Sequence, residues 1–198
     1  MKKYMAWVQP FIKLKNLIVM FMVIIPFNLL VFPILSENFR SISGNLQTLD
    51  VQFGFSPRDA INLIQQLGET ARHFYLFIEW TADLFYPITY SSLLTILLGL
   101  LFKAVSLPDK LTRLRFLIVL PLFMMGFDYT ENIFLSTLLI WPNQLSGSGL
   151  DLWIASIASI ASFCKWLTGA LIVVTLLIGF ILLVINIIHA NSLSRSKE

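Results

Sequence analysis

The chain has 198 residues, of which 57% are hydrophobic and only 13% charged, where a soluble domain carries about 45–50% and about 25%. With 17 phenylalanines and a mean hydropathy of +0.80, it reads as an integral membrane protein, which excludes a free soluble enzyme. The net charge of +3 is small, and the basic residues gather at segment ends, where they orient a membrane protein and do not form a nucleic-acid surface.

Lys2, Lys3, Lys13 and Lys15 open the chain with no acid among them. The apolar run 17–35 is too long for a signal-peptide core and no A-x-A site follows it, so it predicts an uncleaved first span. Pro26 and Pro33 interrupt that run, with Asn28 between them. Residues 36–56 are polar and turn-rich, with Gly44 and Gly54. Ser56-Pro57-Arg58-Asp59 then opens a helix, with Ser56 as N-cap, Pro57 at N1 and Asp59 reaching back from N3. That helix runs to Leu67, breaks at Gly68 and resumes at Glu69 into a second span, 74–102, where Pro87 predicts a kink.

Lys103, Lys110, Arg113 and Arg115 follow in a short loop. The third span, 116–140, contains Pro121 and Gly126 and ends at Trp141-Pro142, a dipeptide suited to an interface. Asn143–Gly149 is a Gly/Ser turn, and Ser148 with Asp151 repeats the N-cap pattern. The last segment, Leu152 to Ala190, has no proline; at 1.5 Å per residue it is roughly 58 Å long, about twice the hydrocarbon core. Lys165 and Trp166 mark its outer interface, dividing it into an outer part, 150–165, and a span, 166–189. The outer part repeats I-A-S, and small residues at that spacing predict close packing on the 57–67 helix.

The predicted fold is therefore an all-α integral membrane protein with one domain, 1–198. It is a four-transmembrane-helix bundle (spans 17–35, 74–102, 116–140 and 166–189) with a helical extracytoplasmic cap made of 36–73 and 141–165. The N-terminus, the 103–115 loop and the tail with Arg195 and Lys197 carry most of the basic residues. Arg40, Arg58 and Arg72 on the other side are balanced by Glu37, Asp50, Asp59 and Glu69. The positive-inside rule then places both termini in the cytoplasm, and a bacterial inner membrane is the expected location.

Charges inside apolar spans are costly and mark function. Glu79 and Asp83 are four apart on one helix face, in a stripe that also carries Arg72, Tyr75, Tyr86 and Tyr90. Asp128 and Glu131 share a face of the third span, beside Asn132. Asn28 lies on the first span and Lys165 at the top of the fourth. Counting from the cytoplasmic basic residues at 1.5 Å per residue brings these groups together in the outer half of the bundle. The pattern predicts a polar pocket there. Its acids can serve as general acid or proton carrier, hold a divalent cation, or bind a cationic amine against a wall of Tyr86, Tyr90, Tyr129 and Trp80. The structural alternatives are that Asp83 and Asp128 lock helix packing, that Arg72 and Lys165 each neutralise an acid, and that Asn132 bridges helices.

Cys164 is the one cysteine, so no disulfide or CxxC site exists within the chain. His73 and His189 are the only histidines and read as interfacial. No phosphate loop, G-x-S-x-G or H-E-x-x-H is found. No cofactor and no metal site are expected, and the sequence leaves open whether the protein is an enzyme.

Gly54-Phe55-Ser56-Pro57 with Ala60, Leu67-Gly68-Glu69 with Arg72 and Tyr75, Asp83-Leu84 before Pro87, and Phe127-Asp128-Tyr129 before Glu131-Asn132 resemble a pattern in a family of small bacterial four-span membrane proteins of uncharacterised function. The resemblance covers residues 50–135 and implies no activity. A looser likeness of topology and acids is to the sterol-isomerase and sigma-2-receptor superfamily, which implies an intramembrane pocket for lipophilic amines or sterols. The long outer segment also resembles claudin-type architecture, but the paired cysteines of that type are absent.

The leading expectation is an acidic intramembrane pocket that binds a small lipophilic or cationic ligand or acts on a lipid by acid–base chemistry, with Asp83, Asp128 and Glu131 central. The rivals are a homo-oligomeric ion or proton channel and a structural or assembly factor that recruits a partner through helix 150–165.

Overall fold

The computed structural model describes residues 8–105, 109–142, 145, 147 and 149–195. Lys2, Lys3, Asn143, Ser148 and Lys197 lie outside the described residues, and with them the second capping pattern. Among the described residues the chain is helical, without strands.

Helix α1 (Leu14–Ser43) is continuous and longer than the expected first span. Pro26 does not break it. The backbone instead widens into one π-turn at Phe27–Val31, where the Asn28 amide donates to the Ile24 carbonyl at 2.9 Å. Pro33 sits in the first turn of the α-helical stretch that follows, where a missing N–H is tolerated. Residues 36–43, expected as turn, are helical because Phe39 anchors them: it is 1% exposed, with its ring edge-on to Tyr75 at 5.4 Å. Gly44, at φ +74°, ends the helix in the left-handed conformation that glycine favours.

Helix α2 (Pro57–Gln66) begins with the predicted capping box. The Ser56 hydroxyl accepts from the Asp59 N–H at 3.1 Å, and the Asp59 carboxylate accepts from the Ser56 N–H at 3.2 Å. These bonds to Ser56 hold the exposed Asp59 carboxyl below the ordinary aspartate range. The buried face of α2 carries Ala60, Ile61 and Ile64, and it packs on Ala155 and Ala158 of the last helix. The small residues of the I-A-S repeat allow that close approach.

Helix α3 (Glu69–Ala104) contains Pro87. Its irregular residue is Thr81, at φ −122° and ψ −83°, and the helix runs through the proline. Pro87 lacks one N–H, which leaves the Asp83 carbonyl without its helical donor. The Asn132 side chain lies 3.5 Å from that carbonyl. Helix α4 (Leu120–Ile140) follows a 3-10 stretch, Asp109–Val119. Pro121 thus lies in the first turn of α4, a position that suits proline, and within the span-length stretch Leu114–Ile140. Helix α5 (Leu150–Arg195) is 46 residues long and unbroken.

Four helical stretches are long and apolar enough to cross a membrane: Leu14–Ser43, Glu69–Ala104, Leu114–Ile140 and Leu150–His189. Two apolar clusters hold them together. One joins Phe39, Ile64, Tyr75, Ile78, Leu135 and Ala158 toward the α2 end. The other joins Val8, Ile12, Leu98, Phe102, Ile118 and Ile172 toward the opposite end. The polar side chains of α3, α4 and α5 fall in the layer between the two.

Candidate functional site

In that middle layer α3 contributes Glu79 and Asp83, α4 contributes Asp128, Glu131 and Asn132, and α5 contributes Lys165, all buried. Antiparallel packing of α5 on α4 sets the register. Met124 lies so close to Gly169 that a Cβ there would meet its Cε at 3.3 Å, and four residues along each helix Lys165 meets Asp128. The Lys165 ammonium reaches Asp128 Oδ1 at 3.1 Å and Glu131 Oε2 at 2.5 Å. It also donates to the Asp50 backbone carbonyl at 3.4 Å. Asp128 Oδ2 accepts from the Tyr90 hydroxyl at 2.8 Å, so both oxygens of Asp128 are engaged. Turned with its nitrogen toward them, the Asn132 amide donates to Glu79 Oε2 at 3.2 Å and to the Asp128 carbonyl at 3.0 Å. The opposite orientation offers it only the longer approach to the Asp83 carbonyl.

The segment before α2 folds back over this layer. Tyr75 is fully buried; its hydroxyl accepts from the Leu49 N–H at 2.8 Å and donates to Asp50 Oδ1 at 3.1 Å. The Trp166 indole N–H donates to the Gln52 carbonyl at 2.9 Å. Both ends of the segment 49–52 are thereby pinned, and Asp50 is brought to the cluster.

Beneath it lies a cavity of about 430 Å³ lined by Asp50, Asp83, Asp128 and Lys165, with the rings of Phe32, Tyr86, Tyr90 and Trp166. The Tyr86 ring meets Phe32 edge-on at 4.7 Å and Tyr90 at 5.4 Å. The Tyr86 hydroxyl donates to Asn28 Oδ1 at 3.1 Å, which places α1 in the wall. Asp83 lines the cavity, and its Oδ2 is buried without a hydrogen-bond partner among the described residues.

The structure thus gathers Asn28, Glu79, Asp83, Tyr86, Tyr90, Asp128, Glu131, Asn132 and Lys165 into one layer. Arg72 does not join them. Its guanidinium donates to the Leu67 carbonyl at 2.5 Å and so caps the end of α2. Lys165, offered by the sequence as the neutraliser of an acid, is a buried counter-ion to Asp128 and Glu131, 6% exposed. Trp80 and Tyr129 do not share the wall of Tyr86 and Tyr90. With Glu79 and Asn132 they line a separate cavity of about 260 Å³, and the Tyr129 hydroxyl donates to the Leu84 carbonyl at 2.7 Å. Asp50 and Trp166 are the site residues that the sequence pattern missed; Asp50 read as a loop charge and Trp166 as an interface marker.

Five carboxylates (Asp50, Glu79, Asp83, Asp128 and Glu131) meet one ammonium, Lys165, among the described residues. Such a layer has a deficit of positive charge that a proton or a bound cation would fill. Among the described residues no group of three His, Cys, Asp or Glu side chains is arranged to hold a metal ion. No protein-family model, curated protein or solved structure matches the chain.

Proposed function

We propose that the protein is a multi-pass membrane protein, spanning the bilayer through α1, α3, α4 and α5, whose carboxylate-lined cavity binds a small lipophilic cation. The observation that carries this reading is Asp83. It lines a cavity walled by aromatic rings, one of its oxygens is buried and unbonded, and the one lysine nearby is already held by Asp128 and Glu131. An ammonium ligand would give Asp83 the partner it lacks, while its apolar body would rest on Phe32, Tyr86 and Tyr90, whose ring faces attract cations. Asp128 and Glu131 hold Lys165 so that it does not neutralise Asp83 itself. Lys13, Lys15, Lys103 and Arg115 then mark the cytoplasmic end.

The test compares 3-phenylpropylammonium with neutral 3-phenylpropanol by titration calorimetry on the detergent-purified protein. The ammonium binds saturably and about tenfold to a hundredfold more tightly than the alcohol, the range for a charge-assisted hydrogen bond. Asp83→Asn removes that preference without changing helix content or melting. Equal binding of the two probes, or a preference that survives in Asp83→Asn, overturns the reading.

A further inference from the structure

A second cavity differs from the first in sign. It measures about 630 Å³ and lies between the start of α1 and the flanks of α3 and α4, lined by the exposed Lys13 and Lys15 and by the apolar Val19, Met20 and Leu122. Among the described residues no Asp or Glu lines it, and neither lysine is paired with a carboxylate.

The sequence builds this cavity with two devices. Gly99 lacks a side chain where a Cβ would come within 2.5 Å of Ile12, so Ile12 seats on α3 at 3% exposure. The Lys103 ammonium then donates to the Ile12 carbonyl at 3.1 Å. Together they hold the chain entering α1 against α3 and place Lys13 and Lys15 beside the groove.

Thr95 supplies a second, independent observation. Helical threonines elsewhere in the chain turn their hydroxyls back to the carbonyl four residues earlier: Thr89, Thr130, Thr137, Thr168 and Thr175 all do so. Thr95 lines the cavity, is 8% exposed, and its hydroxyl has no partner among the described residues. A buried hydroxyl without a partner is costly, and an acceptor supplied by a ligand removes that cost. The groove therefore brings together ammonium groups, hydroxyls (Thr95, with Ser91 and Ser92) and apolar side chains. A phosphodiester headgroup, a glycerol ester and an acyl chain call for the same three kinds of partner.

We infer that this groove is a binding site for one anionic phospholipid, with the phosphate between Lys13 and Lys15, an ester oxygen accepting from Thr95, and a chain along Val19, Met20 and Leu122. Basic pockets between helices bind anionic headgroups in this way. The site rests on the four-span reading but not on the acidic cavity.

The test is native mass spectrometry of the full chain released from nanodiscs containing equal amounts of dioleoylphosphatidylglycerol and dioleoylphosphatidylcholine. One phosphatidylglycerol is retained per chain in preference to phosphatidylcholine. Lys13→Gln with Lys15→Gln weakens that retention roughly tenfold to thirtyfold, and Thr95→Val weakens it while leaving the lysines in place. Asp83→Asn leaves it unchanged, which separates this site from the acidic cavity. Equal retention of the two lipids, unchanged retention in the double lysine variant, or displacement of the lipid by millimolar glycerol phosphate overturns the inference.

Discussion

Replacing Lys165 by methionine removes the one ammonium from the acidic layer at nearly constant volume. Its contacts at 3.1 Å to Asp128 and 2.5 Å to Glu131 each correspond to a Coulomb attraction of about 5–7 kcal/mol at an effective dielectric constant of ~20. Desolvation of the three groups offsets much of that attraction, several kcal/mol per ion. The net cost of leaving the acids unpaired is therefore about 3–5 kcal/mol, the range for breaking a buried pair from one side. At roughly 2–4 °C per kcal/mol for a chain of this size, Lys165→Met melts about 6–20 °C lower in a thermal scan in detergent. Adding Asp128→Asn and Glu131→Gln removes the stranded charges, and this triple variant recovers most of the loss. Lys165→Met melting at the wild-type temperature would refute the counter-ion role. A triple variant no more stable than Lys165→Met would show that packing, not charge, sets the effect.

Tyr75→Phe leaves the ring in place but removes the hydroxyl that holds the Leu49 N–H and Asp50. It should cost about 1–3 kcal/mol and speed amide exchange at Leu49 and Gln52 before the helices are affected. Gly99→Val drives a branched side chain into Ile12 and should cost about 1–3 kcal/mol by overpacking; Ile12→Ala in the same chain should restore part of the melting temperature. The Asp59 carboxyl, held down by its bonds to Ser56, should titrate below the ~3.9 of a free aspartate in a carbon-detected NMR titration. Because its folded value lies below its unfolded one, the stability it adds is present above the unfolded value and is lost as pH falls through the folded one. Ser56→Ala should raise the midpoint part of the way toward the ordinary aspartate range, since the backbone N–H of residue 56 still donates to the carboxylate.

The features legible in the sequence were local. The capping box needs only Ser56, Pro57 and Asp59 within one turn, and the burial of both Glu79 and Asp83 in one layer follows the helical spacing that puts them four residues apart. Four long apolar stretches follow from composition. What was not legible depended on partners distant in the chain. Residues 36–43 look like a turn until Phe39 is seen against Tyr75. Pro87 draws the eye as the irregular point, yet the helix continues through it and the irregular backbone angles fall at Thr81. Residue counting brings Lys165 to the outer half of the bundle but does not name its partners, because the last apolar segment is about twice as long as a span needs to be. Only its register against α4, set where Met124 lies on Gly169, puts the ammonium among the acids. Asp50 counted as a loop charge because the bonds that carry it inward come from Tyr75 and from the Lys165 ammonium, which meets its backbone carbonyl.

The wide turn at Phe27–Val31 gives α1 a removable residue. A turn closed from i to i+5 holds one residue more than an α-helical turn, so the helix on either side keeps its phase whether or not the extra residue is present. A chain shortened by one position within Phe27–Val31 would still seat Phe39 on Tyr75 and Ile12 on Gly99. It would lose only the outward swell that presents Asn28 to Tyr86. Insertion and deletion at this one place therefore offer a way to change the wall of the acidic cavity without rebuilding the bundle around it.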